Sequence, residues 1–215
     1  MSELLIKGGI CYLLGSVVAS LVIGHLRGID IRTRGSGNAG ATNAMRTFGK
    51  KVAFVVFVID LAKGWIATGA IAPWAVPQPW AAAPAVSAWS VPVCALAVML
   101  GHVYPLWYGF RGGKGMATLL GAVLGINARL ALPMILVWLA TVILTGFVGL
   151  GSILAAVALA VAIPAGRSGV PLVAFGILAV LLIAFTHREN IARMRAGTEP
   201  RARRLWLFGA RRGQA

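Results

Sequence analysis

Residues 34–46 read RGSGNAGATNAMR, a run whose residue types suit a phosphate group. Gly35, Gly37 and Gly40 permit positive φ and close backbone approach, so successive N–H groups can curl around an anion. The run 41–45 can open a helix whose amino end favours the same charge. Ser36, Asn38, Thr42 and Asn43 add side-chain donors, and Arg46 adds a planar fork matched to phosphate oxygens.

Residues 101–118 read GHVYPLWYGFRGGKGMAT. Gly112, Gly113 and Gly115 flank Lys114 ahead of an apolar run, which predicts a second cradle of N–H groups with a point charge. It is similar to a nucleotide P-loop but is not one: Tyr108 stands where the first glycine belongs, Gly115 where Ser or Thr belongs, and no strand precedes it. Two anion cradles imply one substrate with two anionic groups or two phosphorylated substrates. His102 can act chemically or brace the loop. Asp60 and Lys63, at i and i+3 in an apolar run, read as an intramembrane ion pair, with Lys63 also within reach of an anion.

The third polar segment, residues 186–199, reads THRENIARMRAGTE and predicts a helical continuation of the apolar run before it. His187 and Asn190 share a face, and Glu189 is spaced to pair with Arg193. A histidine here can serve as a base near neutral pH, and Asn190 can orient it or a substrate.

The elements that must position these residues are membrane helices. The chain has 215 residues, 59% hydrophobic and 12% charged, with a mean hydropathy of +0.86, outside the range of soluble domains. Seven apolar stretches stand out, at residues 4–24, 52–72, 85–105, 116–126, 130–147, 150–165 and 170–186, predicting an all-α integral membrane protein of about seven transmembrane helices. The fourth is too short to cross straight. With the N-terminus outside, the inner loops hold Arg27, Arg32, Arg34, Arg46, Lys50, Lys51, Arg111 and Lys114. The tail adds Arg188, Arg193, Arg195, Arg201, Arg203, Arg204, Arg211 and Arg212, against only Lys7, Arg129 and Arg167 outside. The positive-inside rule then puts all three motif loops on the cytoplasmic face, where they can converge on one site.

One membrane-embedded domain (1–190) and a basic cytoplasmic tail (191–215) are expected. The formal charge of +15 borders helices, and apart from Trp206 and Phe208 the tail lacks aromatics for base stacking. Membrane lipids, not nucleic acid, are therefore the expected partner. Cys11 and Cys94 sit at unrelated positions in apolar spans and read as core residues; no metal site and no cofactor is indicated. No oligomeric state is legible.

Together the three segments resemble the bacterial membrane family that acylates glycerol 3-phosphate with acyl phosphate. The likeness rests on Ser36-Gly37-Asn38-x-Gly40-Ala41-Thr42-Asn43-x-x-Arg46, on Gly101-His102-x-x-Pro105 continuing to Phe110-Arg111-Gly112-Gly113-Lys114-Gly115-x-Ala117-Thr118, and on His187-Arg188-x-Asn190-Ile191. The resemblance implies a bacterial cell (inner) membrane enzyme that makes lysophosphatidic acid and phosphate. Ser36 and Arg46 would be needed for activity; beside them Lys114 is expected as a catalytic residue that helps hold the phosphates. The second-loop glycines would bind glycerol 3-phosphate, and His187 and Asn190 would serve activity. Arg111 and Thr118 fall within the binding motif, Arg111 where the family usually has lysine. Gly149 stands where the family usually has serine, with Ser152 three positions on. His25 and Asp30 fit the His-x-x-x-x-Asp spacing of acyl-CoA-dependent acyltransferases, a rival donor. A transporter of a phosphorylated metabolite is the alternative from another class, though no inverted repeat is visible.

Overall fold

In lipid a backbone must satisfy its own polar groups, and the chain does so with helices. The computed structural model describes residues 1–166, 168–202 and 205–207; Arg167, Arg203, Arg204, Phe208, Arg211 and Arg212 lie outside the described residues. The helices form two compact units, Met1–Asn127 and Ala128–Ala215. The first contains α1 (Ser2–Ser16), α2 (Ala19–Leu26), α3 (Ala41–Phe48), α4 (Lys50–Ile66), α5 (Pro84–Ser87), α6 (Ser90–Val103) and α7 (Met116–Ile126), with short 3-10 turns at Ile31–Thr33 and Leu106–Tyr108. The second contains α8 (Ala128–Thr145), α9 (Val148–Ala165), α10 (Val170–Thr186) and α11 (Arg188–Arg195).

Four stretches are long and apolar enough to cross a membrane: Lys50–Ile71, Pro84–Tyr108, Ala128–Thr145 and Val148–Ala165. The number is six if two bent pairs, α1 with α2 (42°) and α10 with α11 (55°), each form one span. The remaining expected stretch is α7, whose 11 residues extend about 16 Å, half of a hydrocarbon core of about 30 Å. The burial pattern is that of a membrane protein. Phe54 and Leu181 are 68% and 60% exposed, whereas Asp60, Lys63 and His102 are 1%, 3% and 3% exposed.

The α1–α2 bend has a local cause. Val17 and Val18 are extended (ψ 92° and 106°), a conformation that β-branched residues favour. Breaking the helix strands its carbonyls, and the Lys63 ammonium of α4 donates to two of them, Gly15 O and Val17 O, both at 3.0 Å. Small residues set the helix crossings. A Cβ on Gly15 would strike the Val98 carbonyl of α6, and one on Gly121 would strike the Leu61 carbonyl of α4, as expected where backbones pack without side chains between them. Cys11 and Cys94, unrelated by sequence position, lie in one buried cluster with Ala67, Ala72 and Val98.

Glu3 and Lys7 form a buried pair at 2.7 Å. Lys7 also donates to Ala72 O at 2.7 Å, and Glu3 accepts from Ala82 N, Ser87 Oγ and Ser90 Oγ at 2.8, 3.1 and 3.2 Å. This network ties α1 to the proline-rich segment before α6. In the second unit the chain reverses at Gly197 (φ +70°). Arg201 then lies between the rings of Phe147 and Trp206, 4.4 and 4.3 Å from their centroids, and donates to Thr145 O at 2.7 Å. The start of the expected tail is thus docked on the α8–α9 turn.

Candidate active site

Loop 1, residues 34–40, enters α3 as expected, but its glycines divide the work. Gly35 and Gly37 have φ of +56° and +71°, the left-handed region open to glycine. Gly40, expected to share it, is extended at φ −124°; its requirement is space, since a Cβ there would lie 2.8 Å from Asn38 Nδ2. Asn43 departs further from expectation. Its fully buried carboxamide accepts from Ser36 N at 2.9 Å and donates to Ile31 O and Arg34 O at 3.1 and 2.9 Å. Asn43 therefore shapes the loop from within and is not a phosphate ligand. Gly37 N donates to Arg34 O at 3.0 Å, so the Ser36 and Gly37 amides are also used internally. Half-buried Ser36 and exposed Thr42 and Arg46 remain for a ligand, while at the start of α3 the Asn43 and Ala44 amides already donate to Gly40 O at 3.0 and 2.9 Å.

Loop 2, residues 109–115, corrects the expected glycine cradle. Gly112 N donates to Val103 O at 2.9 Å and Gly113 N to His102 O at 3.0 Å, so these amides hold the loop against the end of α6. Both glycines are required by approach. A Cβ on Gly112 would strike the His102 carbonyl, and one on Gly113 would strike the His102 ring and lie 3.0 Å from Ala39 O. Gly115 (φ +84°) caps α7, with Lys114 half-buried before it and Arg111 exposed. Thr118, expected as a ligand, is fully buried at the α4–α7 crossing, its carbonyl against Gly64.

His102 and Lys63 are also interior. The Lys63 ammonium lies 2.9 Å from Asp60 Oδ1 and 2.8 Å from His102 Nδ1, besides its two carbonyl contacts. Its three protons are fully engaged, so Lys63 braces the site and does not reach an anion. His102 Nδ1 also lies 3.4 Å from the same Asp60 Oδ1.

One pair escaped sequence reasoning. Asp30 accepts from Arg32 N at 2.9 Å, and the Arg32 guanidinium clasps the same carboxylate at 2.9 Å through both Nε and Nη2. Arg32 Nη1 donates across to Tyr108 O and Arg111 O at 2.8 and 3.1 Å, joining loop 1 to loop 2. The Arg32 hydrogen bond holds the Asp30 carboxyl below its usual range, and Asp30 in turn raises Arg32. Asp30 is therefore committed to Arg32, and the His25–Asp30 spacing does not form an acid–base pair. The signal available was the Asp-x-Arg spacing itself. Residues 30–46 and 104–118 together carry five cations, Arg32, Arg34, Arg46, Arg111 and Lys114, against the single acid Asp30, a field suited to anions.

In the second unit His187 is buried at the α10–α11 bend, and the expected helical continuation follows a 55° turn. His187 Nδ1 lies 2.8 Å from Ile183 O. A carbonyl only accepts, so Nδ1 carries a proton. Asn190 Nδ2 donates to Glu199 Oε1 at 2.6 Å. The expected Glu189–Arg193 pair is long, 3.9 Å, because Arg193 instead bonds Glu199 at 2.7 Å. Gly149 packs on Asn190: a Cβ there would lie 2.8 Å from Asn190 Cβ. The described residues contain no cluster of His, Cys, Asp or Glu able to hold a metal.

The family model described as glycerol-3-phosphate acyltransferase matches residues 5–197. The chain is 40% identical over 203 residues to a glycerol-3-phosphate acyltransferase of Crocosphaera subtropica, covering 94% of each chain. It is 39% identical over 191 residues to that of Aquifex aeolicus, covering 88% of this chain and 94% of the relative. Among solved structures it is similar to PlsY (YgiH), an integral membrane glycerol 3-phosphate acyltransferase, in its glycerol 3-phosphate form. There the TM-score is 0.83 and the identity 36%, over 92% of this chain and 94% of that one.

Proposed function

Because the chain belongs to the glycerol-3-phosphate acyltransferase family, we propose that this multi-pass membrane protein moves an acyl group from acyl phosphate to the 1-hydroxyl of glycerol 3-phosphate, giving lysophosphatidic acid and inorganic phosphate. The observation that carries the two-substrate form of this reading is the joining of two basic, glycine-bearing loops through Arg32. One loop would suffice for one phosphate; the reaction brings two.

In the proposed step the glycerol oxygen bonds to the acyl carbon while the acyl C–O bond to phosphorus breaks, and the electron pair leaves with phosphate. The donor is a mixed anhydride, already activated, so charge management dominates. Loop 1, with Ser36, Thr42 and Arg46, takes the donor's phosphate and neutralises the charge that grows on it. Arg111 and Lys114 hold the acceptor's phosphate and aim its hydroxyl. The hydroxyl proton passes to His187 or to a phosphate oxygen, and Asn190 serves by orienting that histidine or a substrate. Seven spans, with α7 the short one, an outside N-terminus and a basic tail from residue 191 would set both loops at the cytoplasmic face of a bacterial inner membrane, in keeping with the positive-inside charge bias.

The test is purified protein with acyl phosphate and glycerol 3-phosphate. Release of phosphate in step with lysophosphatidic acid is expected. Equal turnover with acyl-CoA would overturn the donor assignment, and uptake of glycerol 3-phosphate into vesicles without acylation would overturn the enzyme.

A further inference from the structure

Arg32 presents one planar fork to two partners that lie far apart in sequence. Nε and Nη2 face the Asp30 carboxylate, and Nη1 faces two carbonyls, those of Tyr108 and Arg111. These carbonyls converge because the two residues between them are both left-handed: Gly109 at φ +63° and Phe110 at φ +58°. Glycine adopts that conformation freely, whereas a bulky residue does so only where its surroundings fix it. Phe110 is 53% exposed, so burial of its ring does not fix it. Its own amide, donating to Pro105 O at 3.1 Å, and the carbonyls on either side of the turn, both tied to Arg32, do.

The same turn is anchored on its other side. Asn43, which forms loop 1 from within, also holds Ile31 O, the residue before Arg32. Beyond Arg111, Gly112 and Gly113 are bonded to the end of α6, and Lys114 follows. A continuous bonded path therefore runs from Ser36 through Asn43, Ile31 and Arg32 to Arg111 and the lysine loop.

We propose that Arg32 is a positioning residue that locks the two anion loops in one register, so that they grip their ligands as a single unit. The proposal rests on the two-substrate reading above. Lysine cannot replace arginine in this role. An ammonium places its three protons at one point, whereas the guanidinium spans a carboxylate on one edge and two carbonyls on another. A role in the local field alone would be filled equally by lysine.

The experiment uses the full chain in detergent, as wild type, Arg32→Lys and Asp30→Asn, with folded protein quantified by thermal unfolding. Glycerol 3-phosphate is varied at several fixed concentrations of acyl phosphate. Arg32→Lys is expected to raise KM for glycerol 3-phosphate about tenfold with kcat changed far less, and to flatten any dependence of that KM on donor concentration. Asp30→Asn is expected to move KM in the same direction by a smaller factor. Wild-type KM in Arg32→Lys, or a loss of rate that only tracks lost folded protein, would overturn the proposal. Should wild type fail to turn over acyl phosphate, the donor reading falls, and calorimetric binding of glycerol 3-phosphate decides the positioning role: binding about tenfold weaker in Arg32→Lys supports it, and equal binding overturns it.

Discussion

Lys63 Nζ lies 2.8 Å from His102 Nδ1, so a cation inside the apolar layer is bonded to the ring against which Gly113 packs. With Asp60 at 2.9 Å, the three form a buried polar knot between α4, α6 and the α1–α2 break. Removing one member leaves the others uncompensated. Lys63→Met is expected to destabilise the fold by about 3–5 kcal/mol, measured as thermal unfolding in detergent. Adding Asp60→Leu should recover part of that loss, because the orphaned carboxylate goes too. A silent Lys63→Met would show that the ammonium does not hold the broken helix.

Asn43→Ala removes three bonds from a buried carboxamide and leaves the Ser36 amide and two carbonyls to find other partners. About 1–3 kcal/mol of stability should go for each group left without one, and activity should fall more steeply than stability because loop 1 loses its shape. Full activity in folded Asn43→Ala would mean that the loop keeps its form without the amide.

His187→Ala separates two routes for the substrate proton. If His187 takes it, kcat should fall about 10²–10⁴-fold and its dependence on pH should change shape. A rate equal to wild type across pH would assign the proton to a phosphate oxygen.

Gly149→Ala sets a Cβ against Asn190 Cβ, Cγ and Nδ2. Only the amide tip can swing aside, and Glu199 holds it. Activity is expected to drop at least about tenfold, on the scale of a small misplacement of a positioning group. Wild-type activity in this variant would show that the orientation of Asn190 does not matter.

The clasp between Asp30 and Arg32 has a pH signature of definite sign. Asp30 is depressed from its ordinary value of 3.8, so its contribution is fully present above that value and is lost as pH falls through the lower folded one. The wild-type KM for glycerol 3-phosphate should therefore show no pH dependence from Asp30 near neutrality and begin to rise only in acid below about 4. Asp30→Asn should reproduce the raised KM at pH 7, where the charge is absent throughout. An unchanged KM in Asp30→Asn would remove the carboxylate from the clasp.

Composition and local spacing made the helical membrane fold legible, along with the two basic glycine segments and the buried Asp60–Lys63 pair, because each of these is written within a few residues. What escaped was non-local. Nothing near Gly112 or Gly113 announces that their amides bond back to Val103 and His102 instead of a ligand, and nothing near Asn43 announces that its amide turns inward to Ile31. The Val17–Val18 break depends on a lysine nearly fifty residues onward, and the Arg32 clasp on carbonyls 76 and 79 residues away. Polarity marked these residues as important; only the packing tells a ligand from a strut.

The Glu3–Lys7 network carries an implication for biogenesis. The two charges enter the membrane with the first helix, and as neighbours one turn apart they can neutralise each other at once. Their remaining partners are made later: Ala72 is 65 residues past Lys7, and Ser90 is 87 residues past Glu3. Until that stretch emerges, α1 carries a half-satisfied ion pair at its amino end, costly to bury. Its seating should therefore await the hairpin that follows, which makes insertion of the first unit an ordered event in which a later segment completes an earlier one.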